Sequence, residues 1–339
     1  SINGNVSLSA AMITDSGPVS IAGTLTTVGD TNLTQTTASN YSTSGTQTIT
    51  QSVNFNSTSS TLGGNITTID STNQLFSNAF SLSSALTLNS SGAVTFSDAI
   101  TGLNQAHTIS SSGTTTFNNQ AIGLSTLTIT GPISLNSSAI SSAGLQTYNG
   151  AVSLLKDTIL SASTVTLSGN TDGNNELTII GNANINAPLG NTTALESLLV
   201  VGETTINSSV IVTSDTQDYQ KNVTFTDNST LKAASISMDN IAITTNGNLV
   251  RLDTPTINLQ NATIDNKEIE ELAPTITSER LKISPINSQN AKINKTGLKE
   301  PQFEPIIPIS NLQNTKINKA EVKERAPQGI SKSSSNINT

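Results

Sequence analysis

Cysteine and tryptophan are absent from the 339-residue chain, and histidine occurs once. The missing thiols exclude disulfides, thiolate nucleophiles and cysteine-held metals, so the fold is stabilised without covalent staples. Aromatic residues make up 3%, seven Phe and three Tyr, too few for a core centred on large rings. Charged residues reach only 11%, against about 25% in an ordinary soluble domain. With a net charge of -8 and a pI of about 4.6, the chain lacks the basic surface of a general nucleic-acid binder. No run approaches the roughly eighteen apolar residues that a membrane-spanning helix needs, so no transmembrane segment is expected. The opening Ser1-Ile2-Asn3-Gly4 has neither a basic region nor an apolar export segment. It reads as a mature terminus or a cut from a larger chain.

Serine, threonine and asparagine fill the space that charge and bulk leave. Helical periodicity is almost absent, while short apolar–polar–apolar runs recur: Val94-Thr95-Phe96, Leu127-Thr128-Ile129, Val165-Thr166-Leu167. In a strand, alternate side chains face opposite sides, so the apolar members point inward and Ser, Thr and Asn meet water. Gly, Asn, Asp and Ser between the runs supply turns.

One phrase returns. Gln47-Thr48-Ile49-Thr50-Gln51-Ser52-Val53-Asn54-Phe55 matches Gln146-Thr147-Tyr148-Asn149-Gly150-Ala151-Val152-Ser153-Leu154, and again Gln217-Asp218-Tyr219-Gln220-Lys221-Asn222-Val223-Thr224-Phe225. Thirteen positions after Val53, Val152 and Val223 stand Ile66, Val165 and Ile236. Such recurrence predicts a β-solenoid whose turns repeat at matched corners, with coils of roughly 20 to 25 residues. Residues 1–250 then form a body of roughly 10 to 12 coils, a rod about 50 to 60 Å long at about 4.8 Å per coil. The expected interior includes Val53, Ile66, Val94, Phe96, Leu127, Ile129, Val152, Val165, Leu167, Val223, Phe225 and Ile236. Repetition and backbone bonds between coils supply the stability, and the open ends need covering.

Residues 144–169, containing Gln-Thr-Tyr-Asn-Gly-Ala-Val and then Val-Thr-Leu, resemble repeat segments of filamentous-haemagglutinin-like exoproteins, the bacterial adhesins of two-partner secretion. The resemblance is best in the middle of the chain and extends weakly over residues 1–250. It implies a right-handed parallel β-helix, export through an outer-membrane transporter, and surface adhesion or matrix building. It carries no catalytic residues. No stretch resembles that family's amino-terminal secretion domain or a membrane barrel, as expected of an internal piece or a processed product.

The character changes after about Arg251. Charge concentrates in Lys267-Glu268-Ile269-Glu270-Glu271, and prolines stand at 274, 285, 301, 305, 308 and 327. Residues 251–339 are expected to form irregular terminal coils that pass into an extended, Pro/Lys/Glu-containing linker or assembly arm. Asn290-Ala291-Lys292-Ile293-Asn294-Lys295 returns as Asn314-Thr315-Lys316-Ile317-Asn318-Lys319. Two readings compete, an arm lying along another surface and further irregular coils on the rod; self-association through 275–339 follows from the first.

Catalytic, cofactor-binding and metal-ligating residues are all expected to be none. His107 has no local partner for zinc or for a serine triad and reads as structural or surface. Asp70, Asp98, Asp157, Asp172 and Asp227 are scattered singly, without a calcium-loop pattern, and read as turn or surface residues. Gly63-Gly64-Asn65 and Gly169-Asn170-Thr171-Asp172-Gly173 read as turns, neither having the lysine and helix of a phosphate loop. Tyr148 and Tyr219 share a repeat position with Ile49, which favours inward or corner packing; Tyr41 is a third candidate contact point. The many Asn-x-Ser/Thr triplets suit glycosylation in a permissive compartment but arise readily by chance in this composition.

These readings converge on a non-enzymatic adhesin, secreted or on a bacterial cell surface, whose partners are a host surface, a glycan or another bacterium. The competing class is a self-assembling surface-layer, sheath or fibre subunit. A carbohydrate-active β-helix enzyme lacks its paired carboxylates, and ice binding lacks a uniform array of Thr-x-Thr ledges.

Overall fold

The computed structural model describes residues 6–14, 18–33, 35–43, 47–49, 53–55, 60–68, 73–77, 79–265, 269–272 and 293–296. Side-chain surroundings are described from Asn73 to Ile269, with Asn78, Ser83 and 266–268 excepted, and at Ser7, Leu62 and Ile66. Every strand pairing among them is parallel, and the chain winds as an all-β, right-handed parallel solenoid. One turn is Ala121–Leu124, Leu127–Thr130 and Ile133–Leu135; the next is Ala139–Ser142, Leu145–Tyr148 and Val152–Leu154. The three strands of a turn lie on three faces, here called first, second and third. Each pairs with the strand one turn on: Ala121 with Ile140, Leu127 with Gln146, Ile133 with Val152.

Following one inward column shows the regularity. Leu86, His107, Leu127, Gln146, Val165, Ala183, Thr204, Val223, Ile243 and Ile264 are successive ladder partners over about nine turns. At about 4.8 Å per step this stretch is roughly 43 Å long. The step varies from 18 residues, Val165 to Ala183, to 21, Ala183 to Thr204. The corners absorb the difference. The longest interruption lies between Ile185 and Leu198, where the third face is reduced to isolated bridges of Leu189 with Thr171 and Ile211.

Small apolar side chains fill the interior because each narrow turn has room for only a few inward residues. Ile66, Val94, Phe96, Leu127, Ile129, Val152, Val165, Leu167, Val223, Phe225 and Ile236 are all buried, as their alternation predicts. Val53 lies on a described strand, Val53–Phe55, but its side chain is outside the described set. Rings also stack. On the third face Phe96 lies between Phe76 and Phe117, centroids 5.1 and 4.9 Å away, with Phe80 against the same group. Each burial contributes at about 25 cal/mol per Å² of apolar area, so repetition rather than any single residue supplies the stability.

Three local expectations are corrected, one being that Thr171–Asp172, inside the expected Gly169–Gly173 turn, is a short third-face strand paired with Val152–Ser153. Gly63-Gly64-Asn65 is no separate turn: it lies within the continuous strand Ser60–Thr68, whose register against the next turn shifts between Leu62 and Gly64. A bent strand rounds the corner there because glycine lets the backbone turn without leaving the ladder. The repeated phrase, moreover, does not return to one corner. Gln146–Tyr148 lies on the second face, whereas Gln217–Tyr219 continues the first-face column through Leu198 and Val200. Gln47 is on the second face but stands in the column of Ile66, Leu88, Ile109, Ile129 and Tyr148, two positions from that of Gln146.

Beyond residue 250 the ladder continues. Thr256–Asn258 pairs with Ser235–Ser237, Thr263–Ile264 with Ala242–Thr244, and Ile269–Leu272 with Val250–Leu252. Ile293–Thr296 then adds to Ile269–Leu272. The second copy of the Lys-Ile-Asn-Lys phrase and the prolines at 274, 285, 301, 305, 308 and 327 lie outside the described residues.

Candidate functional site

Polar side chains divide into two populations: a few buried at corners, and a long outward array. The buried set explains the recurring glutamine. Gln146 Nε2 donates to the Ile140 carbonyl at 3.1 Å and to the Ser161 carbonyl, one turn on, at 2.9 Å. Its Oε1 accepts from the Tyr148 hydroxyl at 2.9 Å. Gln217 repeats the arrangement with the carbonyls of Ile211 and Lys232, 3.1 and 2.9 Å, and with Tyr219 at 3.2 Å. Gln74, on the third face, donates to Asn89 at 2.9 Å and Ile66 at 3.4 Å. In each case one amide ties together two stacked carbonyls of the preceding face. The bond set needs only a corner, and a three-sided coil has three, which is why the phrase migrates between faces. Burial pushes the Tyr148 and Tyr219 phenols above their ordinary range. Both tyrosines point inward, as their shared position with Ile49 predicts.

His107 is also interior. It stands between Leu86 and Leu127 in its column, with its ring edge-on to Phe96 at 5.7 Å. Neither ring nitrogen has a hydrogen-bond partner in the protein, and desolvation depresses its pKa to about 3. It is therefore a neutral member of the core, and its structural reading holds.

Acidic and amide side chains act as braces between turns. Asp98 accepts from Asn119 Nδ2 at 3.0 Å, Asp157 from the Glu176 amide at 3.0 Å, and Asp172 from the amides of Thr192 and Thr193 at 2.8 and 3.1 Å. Asp227 caps the following amide, Asn228, at 2.7 Å. Asp239 receives the Gln260 amide at 2.8 Å and also Asn258. Asp70 lies outside the described residues. Among the described residues no three His, Cys, Asp or Glu side chains group as metal ligands, and no helix is long and apolar enough to cross a membrane.

The outward array is the more extensive feature. On the second face Thr87, Thr108, Thr128, Thr147, Thr166, Asn184, Thr205, Thr224 and Thr244 are consecutive ladder partners. Each lies between inward neighbours and is exposed or half-buried. Eight steps of about 4.8 Å give an uncharged column of hydroxyls and methyls roughly 40 Å long. Asn184 interrupts it yet stays tied in, its Nδ2 lying 3.5 Å from Thr166 Oγ1. The third face has no such uniformity. It runs Thr95, Thr116, Ser134, Ser153, Asp172, and near its end carries Arg251 and the Lys232–Asp253 ion pair of 3.3 Å.

The single-turn alternation made outward threonines expected, but not the column, because alignment between turns depends on corner lengths. The described aromatic side chains all point inward, so among the described residues the faces offer no aromatic stacking platform for sugar rings. In comparisons with known proteins, no protein-family model, no curated protein and no solved structure matches this chain. The fold is a large all-parallel β-solenoid, consistent with bacterial surface and secreted adhesin-like proteins in general.

Proposed function

We propose that the chain is a structural adhesin of the bacterial surface or exoprotein type, a non-catalytic rod that presents the second face to a host surface, a glycan or another bacterium. The observation that carries this reading is the in-register Thr87–Thr244 column. The β propensity of threonine accounts for its presence on any one turn. It does not account for its persistence on this face alone, while the third face drifts to serine and charge. Each hydroxyl contributes a weak contact, and a rigid row of them engages a repetitive partner many times over. The carboxylates fit a non-catalytic role, because Asp98, Asp157, Asp172 and Asp239 are engaged in joining turns. The likeness to filamentous-haemagglutinin-like repeats adds export by an outer-membrane transporter to the proposal.

Binding of the purified rod to host cells, bacterial cells and immobilised glycans tests it. Saturable binding that is lost when Thr108, Thr128 and Thr147 are replaced together by lysine supports the proposal. Binding that survives this replacement, or no binding on any surface, refutes it. The alternative is a self-assembling subunit joined through residues 275–339. In its favour, Ile293–Thr296, from within that stretch, adds a parallel strand to Ile269–Leu272. Assembly that disappears when 275–339 is deleted, with no cell or glycan binding, selects the alternative.

A further inference from the structure

The first face differs from the other two in kind. Over five turns its outward positions are Gln120 and Ile122, Ala139 and Ser141, Ile159 and Ser161, Thr178 and Ile180, Leu199 and Val201. None is charged, and the run ends at Asp218, the partner of Leu199 on the next turn. Ile122, Ile159 and Ile180 are 41, 42 and 44% exposed. Leu155, on the corner leading into this face, Leu103, on the corner leading out, and Leu145, which opens the adjoining second-face strand, are 60, 59 and 53% exposed. All six exposed large apolar residues among the described ones therefore border or occupy one face of three.

We propose that the first face is a lateral docking surface for a second copy of this chain, two rods lying side by side. Three observations select that occupant. The exposed apolar area of the six residues is roughly 500 Å², at the upper end of what a monomer leaves uncovered. With its polar rim the strip approaches the roughly 800 Å² per partner of a standard interface. Second, the outward strand positions carry no charge over these turns, and Lys156, Asp157, Glu176 and Glu196 stand on the corner leading in, so a chain with a net charge of -8 meets its copy with its acids at the rim. Third, an identical rod has the same rise of about 4.8 Å per turn, so isoleucines on one copy match gaps on the other over several turns. A partner of different architecture does not share that spacing. The three isoleucines lie on a different face from the threonine column, so adhesion and pairing are tested by different substitutions.

Sedimentation velocity on the full chain over a concentration series tests the proposal. A reversible dimer is expected, weakened at least about tenfold by Ile159→Glu with Ile180→Glu. The β-sheet circular dichroism and melting temperature of that variant should match those of the unaltered chain, since both side chains point outward. If the glutamates disturb folding, Ile159→Thr with Ile180→Thr keeps the strand preference and should also weaken the dimer. Thr108→Glu, on the second face, should leave it intact, as should truncation after Leu272. A chain that stays monomeric throughout overturns the proposal. So does a dimer undiminished by both pairs of isoleucine substitutions, equally weakened by Thr108→Glu, or abolished by the truncation.

Discussion

Inside the rod the Tyr148 hydroxyl donates to Gln146 Oε1 at 2.9 Å, two residues back along the same strand, while Gln146 Nε2 holds the carbonyls of Ile140 and Ser161 on successive turns. Both side chains are fully buried. The low polarity around them strengthens these bonds and makes any broken one costly. The same trio of contacts recurs around Gln217 and Tyr219 on another face.

Gln146→Leu leaves a buried carbonyl, a partly buried one and a phenol without this partner. The expected loss is about 2 to 4 kcal/mol. Gln217→Leu should cost a similar amount despite its different face, because the bonds are alike. Denaturant midpoints for the two variants check this. A cost for Gln217→Leu far below that of Gln146→Leu would show that the face matters more than the bond set.

His107 should confer acid sensitivity. Its folded pKa of about 3 lies below the ordinary 6.5 because burial disfavours the imidazolium. Above pH 6.5 the ring is neutral both folded and unfolded, and the contribution is constant. As pH falls from 6.5 toward 3, only the unfolded chain takes up the proton, so stability drops by about 1 kcal/mol per pH unit. His107→Leu, which fits between Leu86 and Leu127, should stabilise the rod at neutral pH and flatten that dependence. Urea unfolding at about pH 7.5 and about pH 4.5 compares the two proteins. Equal slopes would contradict the assignment.

Gly150 should not tolerate alanine. A Cβ there would overlap the Gly131 carbonyl one turn below, and Gly169 stands in the same relation to Gly150. The corner has no space for a side chain where successive backbones stack so closely. Gly150→Ala should cost about 2 kcal/mol or more, read as a lower melting temperature. Asn149→Ala, on the adjacent exposed position, should change it little.

Asp172 should hold the irregular stretch between Gly190 and Ala194. It accepts from the amides of Thr192 and Thr193, which lie exposed on the following turn. Asp172→Ala should cost about 1 to 2 kcal/mol and speed proteolytic cutting at residues 190–194, detectable by mass spectrometry of the fragments. Unchanged cutting there would show that the isolated bridges of Leu189 suffice.

Much of this architecture is readable from residue order, because strand alternation is local. Val-Thr-Phe, Leu-Thr-Ile and Val-Thr-Leu place two side chains in and one out whatever surrounds them, and the buried set follows. Tyr148 and Tyr219 point inward for the same reason. The role of the recurring glutamine was hidden, since its partners stand six residues back and fifteen ahead, on another face. The phrase itself signalled it through a polar residue kept two positions before a large inward one.

Composition and alternation alone therefore determined that this chain forms stacked strands with a mostly aliphatic interior and a polar exterior of low charge. Tertiary structure alone decided which outward residues share a face. A turn varies from 18 to 21 residues along one column, and corner lengths set how each turn aligns with the next. That alignment gathers outward threonines into one column and the exposed Ile122, Ile159 and Ile180 onto another face, though neither set is contiguous in the chain. It also turns His107 from an isolated polar residue into part of an apolar stack.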